Sequence, residues 1–226
     1  MRSFLFLTVF GVAGLALLAA LGVWQVQRLS WKQGVLAEID ARVNAEPVAL
    51  PASPDPRADR FLAVAVTGTM PPGEIRVLVS RKMIGAGYRI IAPFVTDTGR
   101  RILIDRGFVP VAQGAAARAT GPMRIVGNLH WPDEIDAFTP APDRGANIWF
   151  ARDVAMLAGE LGTEPVLVVA RSRTDPGVTP LRVDTAGIPN DHLAYAVTWF
   201  GLALVWGAMT GYFLWRSRAR NRSDAK

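Results

Sequence analysis

The chain has 226 residues, half of them apolar, with a formal net charge of +6 and no cysteine. Without cysteine there are no disulfides, thiolate zinc sites, iron–sulfur clusters, cysteine nucleophile or covalent attachment of a c-type haem. The positive charge is not the footprint of a nucleic-acid partner. It gathers at the C-terminus as Arg216, Arg218, Arg220, Arg222 and Lys226 against Asp224, without interleaved aromatics, and such a cluster beside an apolar helix marks the cytoplasmic side of a membrane.

After residues 1–3, Phe4 to Val23 is an uncharged run of twenty residues. At about 1.5 Å per residue it covers the roughly 30 Å hydrocarbon core, which predicts a first transmembrane helix over 4–23. A cleaved signal peptide is the alternative, with Ala19, Ala20 and Gly22 near a processing site. The run is longer than a usual signal core, however, and passes without a turn signal into Trp24-Gln25-Val26-Gln27-Arg28-Leu29-Ser30-Trp31-Lys32. Leu29, Leu36, Ile39 and Val43 keep helical spacing, so residues 24–46 are expected to continue as a membrane-proximal stalk. Trp24 and Trp31 suit the interfacial belt, and Arg28 and Lys32 can reach headgroups. Pro47, Pro51, Pro54 and Pro56 make 47–60 an extended linker.

Residues 61–188 read as one α+β domain with a mainly antiparallel sheet. Strands are predicted over 62–67, 75–80, 88–95, 101–105, 124–129 and 166–170, separated by Gly and Pro signals. Pro93 should bend its strand, end it or place it at an edge. Residues 113–121 form a small-residue loop, expected to be mobile. A helix is predicted over 153–161, with Asp153 near its start and Gly162 near its stop. His130 is the domain's sole histidine. The carboxylates Asp133, Glu134 and Asp136 beside it read as a solvated loop, because no second metal ligand stands at a fixed spacing. Ser80 and Ser172 have no glycine elbow and there is no Gly-rich phosphate loop, so an enzyme is not the expected reading.

From Leu193 to Leu214 no residue is charged, which predicts a second transmembrane helix over 193–214, followed by the basic tail 215–226. Both termini then lie in the cytoplasm and residues 24–192 on the outer face. In the segment 189–192, Asn190 and Asp191 are good N-cap residues and place His192 in the first helical turn. His192, Ala196, Trp199 and Ala203 share one helical face, with Gly207 close to it. Small residues there let another helix approach, so the imidazole points at a neighbouring helix rather than at lipid. The residue types leave two readings open: an interfacial polar residue or cap, or an imidazole that binds a metal. Arg28, at the same membrane depth, is the candidate cation for an anionic ligand.

Taken together, several segments resemble the Surfeit locus protein one family, the assembly factors of haem-copper cytochrome c oxidase. They are Trp24-Gln25 with Arg28-Leu29 and Trp31-Lys32; Gly87-Tyr88 through Ala92-Pro93-Phe94; Ile104-Asp105-Arg106-Gly107-Phe108-Val109-Pro110; Gly127-Asn128-Leu129 with Pro132; Phe138-Thr139-Pro140; Trp149-Phe150 with Asp153; and Pro189-Asn190 with His192-Leu193, Tyr195-Ala196 and Thr198-Trp199-Phe200. They occur in the family's order over nearly the whole chain.

The resemblance implies two transmembrane helices flanking a periplasmic domain at a bacterial inner membrane, and transient binding of haem a for delivery to cytochrome c oxidase subunit one. Haem a synthase is the candidate donor. On that reading His192 ligates the haem iron, Arg28, with Lys32 beside it, pairs with propionates, and Trp24, Tyr195 and Trp199 offer aromatic walls. The lipid bilayer is a partner and nucleic acid is not. The competing expectation is a scaffold for oxidase subunits that binds no haem.

Overall fold

The computed structural model describes residues 2–81 and 84–223. It divides into two compact units, residues 1–38 with 186–226, and residues 39–185.

The first unit is built from two helices. Helix α1 (Arg2–Val43) is one uninterrupted element of 42 residues, because no Gly-Pro or turn signal separates the apolar run from the amphipathic stretch that follows. The C-terminal helix, α3 (His192–Ser223), starts one residue after Asp191, and the Tyr195 N–H closes its first turn on the Asp191 carbonyl at 3.1 Å. It runs past the expected end at Leu214 into the basic tail, since the arginines and Ala219 are good helix formers. Phe4–Val43 and His192–Ala219 are long and apolar enough to cross a membrane.

The helices pair antiparallel along a seam of small residues. A Cβ on Gly11 would stand 2.1 Å from Thr210 Cγ2, and one on Gly14 would stand 2.5 Å from the Trp206 indole. Trp206 Nε1 donates to the Gly11 carbonyl at 2.9 Å. In lipid no hydrophobic effect drives helices together, so close packing and such hydrogen bonds carry the association. On α3 the half-buried and buried positions among the described residues are His192, Ala196, Trp199, Ala203, Trp206, Gly207, Thr210, Leu214 and Ser217, a spacing of three and four, with Gly207 beside Trp206, that includes the expected face.

The second unit is a sheet domain. Its strands are β1 (Val48–Ala49), β2 (Ala63–Met70), β3 (Ile75–Arg81), β4 (Gly85–Thr96), β5 (Arg101–Pro110), β6 (Gly121–Leu129), β7 (Ile148–Trp149) and β8 (Leu167–Ala170), with helix α2 (Val154–Leu161) between β7 and β8. The order is β1-β2-β6-β8-β5-β4-β3-β7, and β2 also pairs with β4, so the strands from β2 through β4 close on themselves. Antiparallel pairs dominate, while β1–β2, β3–β7 and β5–β8 are parallel. Every predicted strand is present. The two-residue strands β1 and β7 are additions, too short to carry a period, and β1 places a paired segment inside the expected linker.

Closure turns one face of the strands from β2 through β4 into an interior, and β5 and β8 are buried on both faces. Val64, Val66, Phe94, Ile102, Ile104, Ile125 and Val168 fill one core. Leu103 and Leu167, on alternate positions, turn outward and pack with Ile75, Ile91 and Trp149 under Val154 and Leu157 of α2. The prolonged apolar runs in β5 and β8 follow from burial on both faces.

Pro93 neither bends nor ends β4. It pairs with Leu103 of β5, whose N–H instead reaches the Val166 carbonyl. On its other side β3 has ended at the Ile75–Ile91 pair and β2 begins only at Thr69–Val95. Pro93 thus sits at a local edge, where its missing N–H leaves no rung unfilled.

Helix α2 begins and ends as its sequence requires. Asp153 accepts from the Met156 N–H at 2.9 Å, and Gly162 closes it in the left-handed conformation at φ 61°. Asp153→Ala is expected to cost about 1 kcal/mol, the usual worth of an N-cap, seen as a lower melting temperature of the full-length protein.

The alanine-rich loop is tied down rather than loose. The Arg118 guanidinium donates to Glu74 Oε1 at 2.5 Å and to the carbonyls of Gln113, Gly114 and Ala116. The Ala119 N–H is held by Asp175 at 2.6 Å.

Candidate functional site: the histidine at the mouth of the helix pair

The first turn of α3 carries His192 into the seam. His192 Nδ1 lies 2.8 Å from Gln25 Oε1 of α1. Gln25 is only 8% exposed, and a buried amide in an apolar seam needs such a partner. Two turns further along α1, Lys32 Nζ donates to the Pro189 carbonyl, which ties the chain entering α3 to the same stretch of α1. Asn190 Oδ1 is buried with no hydrogen-bond partner among the described residues.

None of the other expected site residues hydrogen-bonds the imidazole; they stand on the turns of α1 and α3 next to Gln25 and His192. Arg28 is exposed and lies over the Trp31 ring at 4.0 Å, so its guanidinium is preorganised at the surface. Trp24 and Tyr195 are 53% and 56% exposed, and Trp199 is half-buried on the seam face of α3. Gln25 is the residue that reading the sequence did not single out. Its signal was a polar side chain one heptad beyond Leu18 on the helix face that the glycines occupy, but the partner helix is needed to see it.

An apolar groove of about 570 Å³ opens on one side of the helix pair, lined by Phe10, Gly14 and Leu17 of α1 and Leu202, Trp206 and Met209 of α3, among others. The spacing then places the mouth residues. Phe10, Leu17, Trp24 and Trp31 recur every seven residues, as do Tyr195, Leu202 and Met209, and residues seven apart lie on nearly the same helical face. Trp24 and Tyr195 therefore flank the same side of the pair as the groove, at the level of His192. The side presents an arginine and aromatics at the mouth and hydrocarbon walls below.

In the sheet domain an ion network lies near His130, whose own Nδ1 is buried with no hydrogen-bond partner among the described residues. Asp105, fully buried, faces Arg89 Nε at 2.7 Å and Arg152 Nη1 at 3.2 Å. Arg152 is also bound through its guanidinium and its N–H by Glu134. Burial would lower the Arg152 pKa, but Glu134 and Asp105 outweigh it and raise it. Burial likewise pushes Glu134 upward, and Arg152 reverses the shift, so that its pKa falls. Glu134 stands in the expected loop with its side chain 35% exposed but is held there by Arg152, whereas Asp136 caps a surface turn by accepting from the Phe138 N–H and Thr139 Oγ1. Among the described residues no three of His, Cys, Asp or Glu converge to hold a metal ion. A metal held at His192 must therefore bring most of its own ligands, as a macrocycle does.

The SURF1 family model matches residues 12–204. A SURF1-like protein of Monosiga brevicollis is 34% identical over 226 residues, covering 91% of this chain and 86% of that protein. Surfeit locus protein 1 of Homo sapiens is 31% identical over 219 residues, with 86% and 71% covered. A SURF1-like protein of the bacterium Rickettsia felis (strain ATCC VR-1525 / URRWXCal2) is 30% identical over 203 residues, with 83% and 88% covered.

Proposed function

Because this chain belongs to the SURF1 family, we propose that it is an assembly factor of haem-copper cytochrome c oxidase that holds haem a at the mouth of its helix pair and passes it to subunit one. The family's association with oxidase assembly supports the coarser part of that reading. The finer part rests on one observation, the sole histidine of the membrane unit held in the seam beside an exposed arginine and above an apolar groove.

The residues fit the chemistry of that cargo. His192 offers an imidazole nitrogen to the iron. Arg28 meets a propionate at the water boundary, and Lys32 stays engaged with Pro189. Trp24 and Tyr195, with Trp199 behind them, cover the flat faces. The groove receives the farnesyl tail, which would otherwise lie in free lipid. A single protein ligand suits a carrier, since transfer then breaks one bond to the protein.

The basic tail supports a topology with both termini in the cytoplasm of a bacterial inner membrane and the sheet domain in the periplasm. Haem a synthase is the proposed donor, and the proposed role is binding and release rather than catalysis.

Full-length protein purified in detergent from cells that make haem a is expected to carry the pigment. His192→Ala is expected to lose it by about tenfold or more, read by absorption spectrum and pigment extraction. A folded parent without haem, with oxidase assembly rescued by both forms, would leave a scaffold in its place.

A further inference from the structure

We infer that Gln25 is the positioning residue for His192: its side-chain oxygen holds the imidazole as the Nδ1–H tautomer and thereby reserves Nε2 for a ligand outside the seam. The inference rests on the reading of His192 as a metal ligand for its purpose, but not for its geometry. The contact is 2.8 Å from His192 Nδ1 to Gln25 Oε1, a normal hydrogen-bond length in which the ring nitrogen donates. A neutral imidazole carries one N–H, so committing it to Gln25 makes Nε2 the acceptor nitrogen. The two ring nitrogens point away from one another, so Nε2 is turned away from α1. The seam itself is closed just below, where Ala196 is 3% exposed. A planar ligand on Nε2 therefore lies against the flank of the helix pair rather than between the helices.

Several features keep Gln25 from swinging away. It is buried, it stands on the glycine-bearing face of α1, and the Lys32–Pro189 bond holds the entrance of α3 in register with it. A histidine bound to a metal commonly donates its other N–H to such an acceptor, which fixes the ring's orientation and raises its basicity. A helix-to-helix hydrogen bond that only helped the pair to associate would need neither this tautomer nor this choice of donor.

The protein contains just two histidines, so the tautomer is directly readable. Full-length protein with ¹⁵N-labelled histidine, in the His130→Asn background and at about pH 8, well above the ordinary histidine pKa, is expected to show His192 protonated on Nδ1. Gln25→Leu, apolar and similar in size, is expected to abolish that preference and to weaken haem a binding by about 10- to 100-fold, while Gln25→Glu restores binding and shifts the absorption spectrum. Protonation on Nε2 in the parent would overturn the inference, because the amide would then be donating. So would an unchanged spectrum and affinity in Gln25→Leu when His192→Ala abolishes binding. If His192→Ala leaves haem binding intact, ligation by His192 fails by itself, and the tautomer still decides whether Gln25 orients the ring.

Discussion

Asp105→Ala is expected to destabilise the sheet domain by about 3–5 kcal/mol, the usual cost of removing one partner from a buried ion pair. Asp105 has no exposed surface, and the two guanidiniums facing it are largely buried as well, with Arg89 15% and Arg152 9% exposed. Arg152 keeps Glu134, but Arg89 would be left with its bond to the Leu181 carbonyl at 2.7 Å and the weaker attraction of Glu134. Its charge would then be stranded where burial already lowers its pKa. Asp105 Oδ1 also accepts from the Gly107 N–H at 3.1 Å, so the β5 backbone loses a partner. Denaturant titration of the full-length protein, followed by a signal of the sheet domain, measures the loss. A loss below about 1 kcal/mol would show that water replaces the carboxylate at the site.

The second large effect concerns pH. His130 is stacked on Phe61 with ring centroids 5.4 Å apart. Its pKa is lowered to about 4, first by burial and then by the positive charges of Arg152, Arg60 and Arg89. Folding therefore favours the neutral ring, and the unfolded chain takes up the proton first as pH falls. Stability from this group is complete above the unfolded value of about 6.5 and is lost as pH drops from there to about 4, to a total of about 3 kcal/mol. His130→Phe keeps a ring against Phe61 and is expected to remove most of the pH dependence of melting in that window. Carboxylates lose their contribution mainly below it, so parent and variant should diverge from about pH 6.5 down to about pH 4 and run parallel below that. A parent whose melting temperature is flat between about pH 6.5 and 4.5 would show that the ring is solvated.

These two predictions come from the part of the molecule whose sequence was least explicit. Asp105-Arg106-Gly107 was legible as a family segment, but nothing in the chain says that Asp105 meets Arg89, 16 residues away, and Arg152, 47 residues away. Glu134 looked like one member of an exposed acidic cluster. Only Arg152, brought alongside by the strand-to-helix connection, makes it a partner of a buried guanidinium. Similarly, Gln25 is one polar residue in a helix until α3 sets His192 opposite it.

Local chemistry decided what one segment settles alone. The uncharged runs 4–23 and 193–214 fixed two membrane-spanning helices through the cost of burying charge in hydrocarbon. Asp153 and Gly162 set the limits of α2, and Asn190-Asp191 placed His192 in the first turn, because caps act within a few residues. Pairings between distant segments were decided by the tertiary structure. The closure of β2 on β4, the site of Pro93 at a local edge, the ion network around Asp105 and the contact of Gln25 with His192 all join residues far apart in the chain. No periodicity or capping rule carries such information, since the energy of each pair exists only once both partners have been buried together.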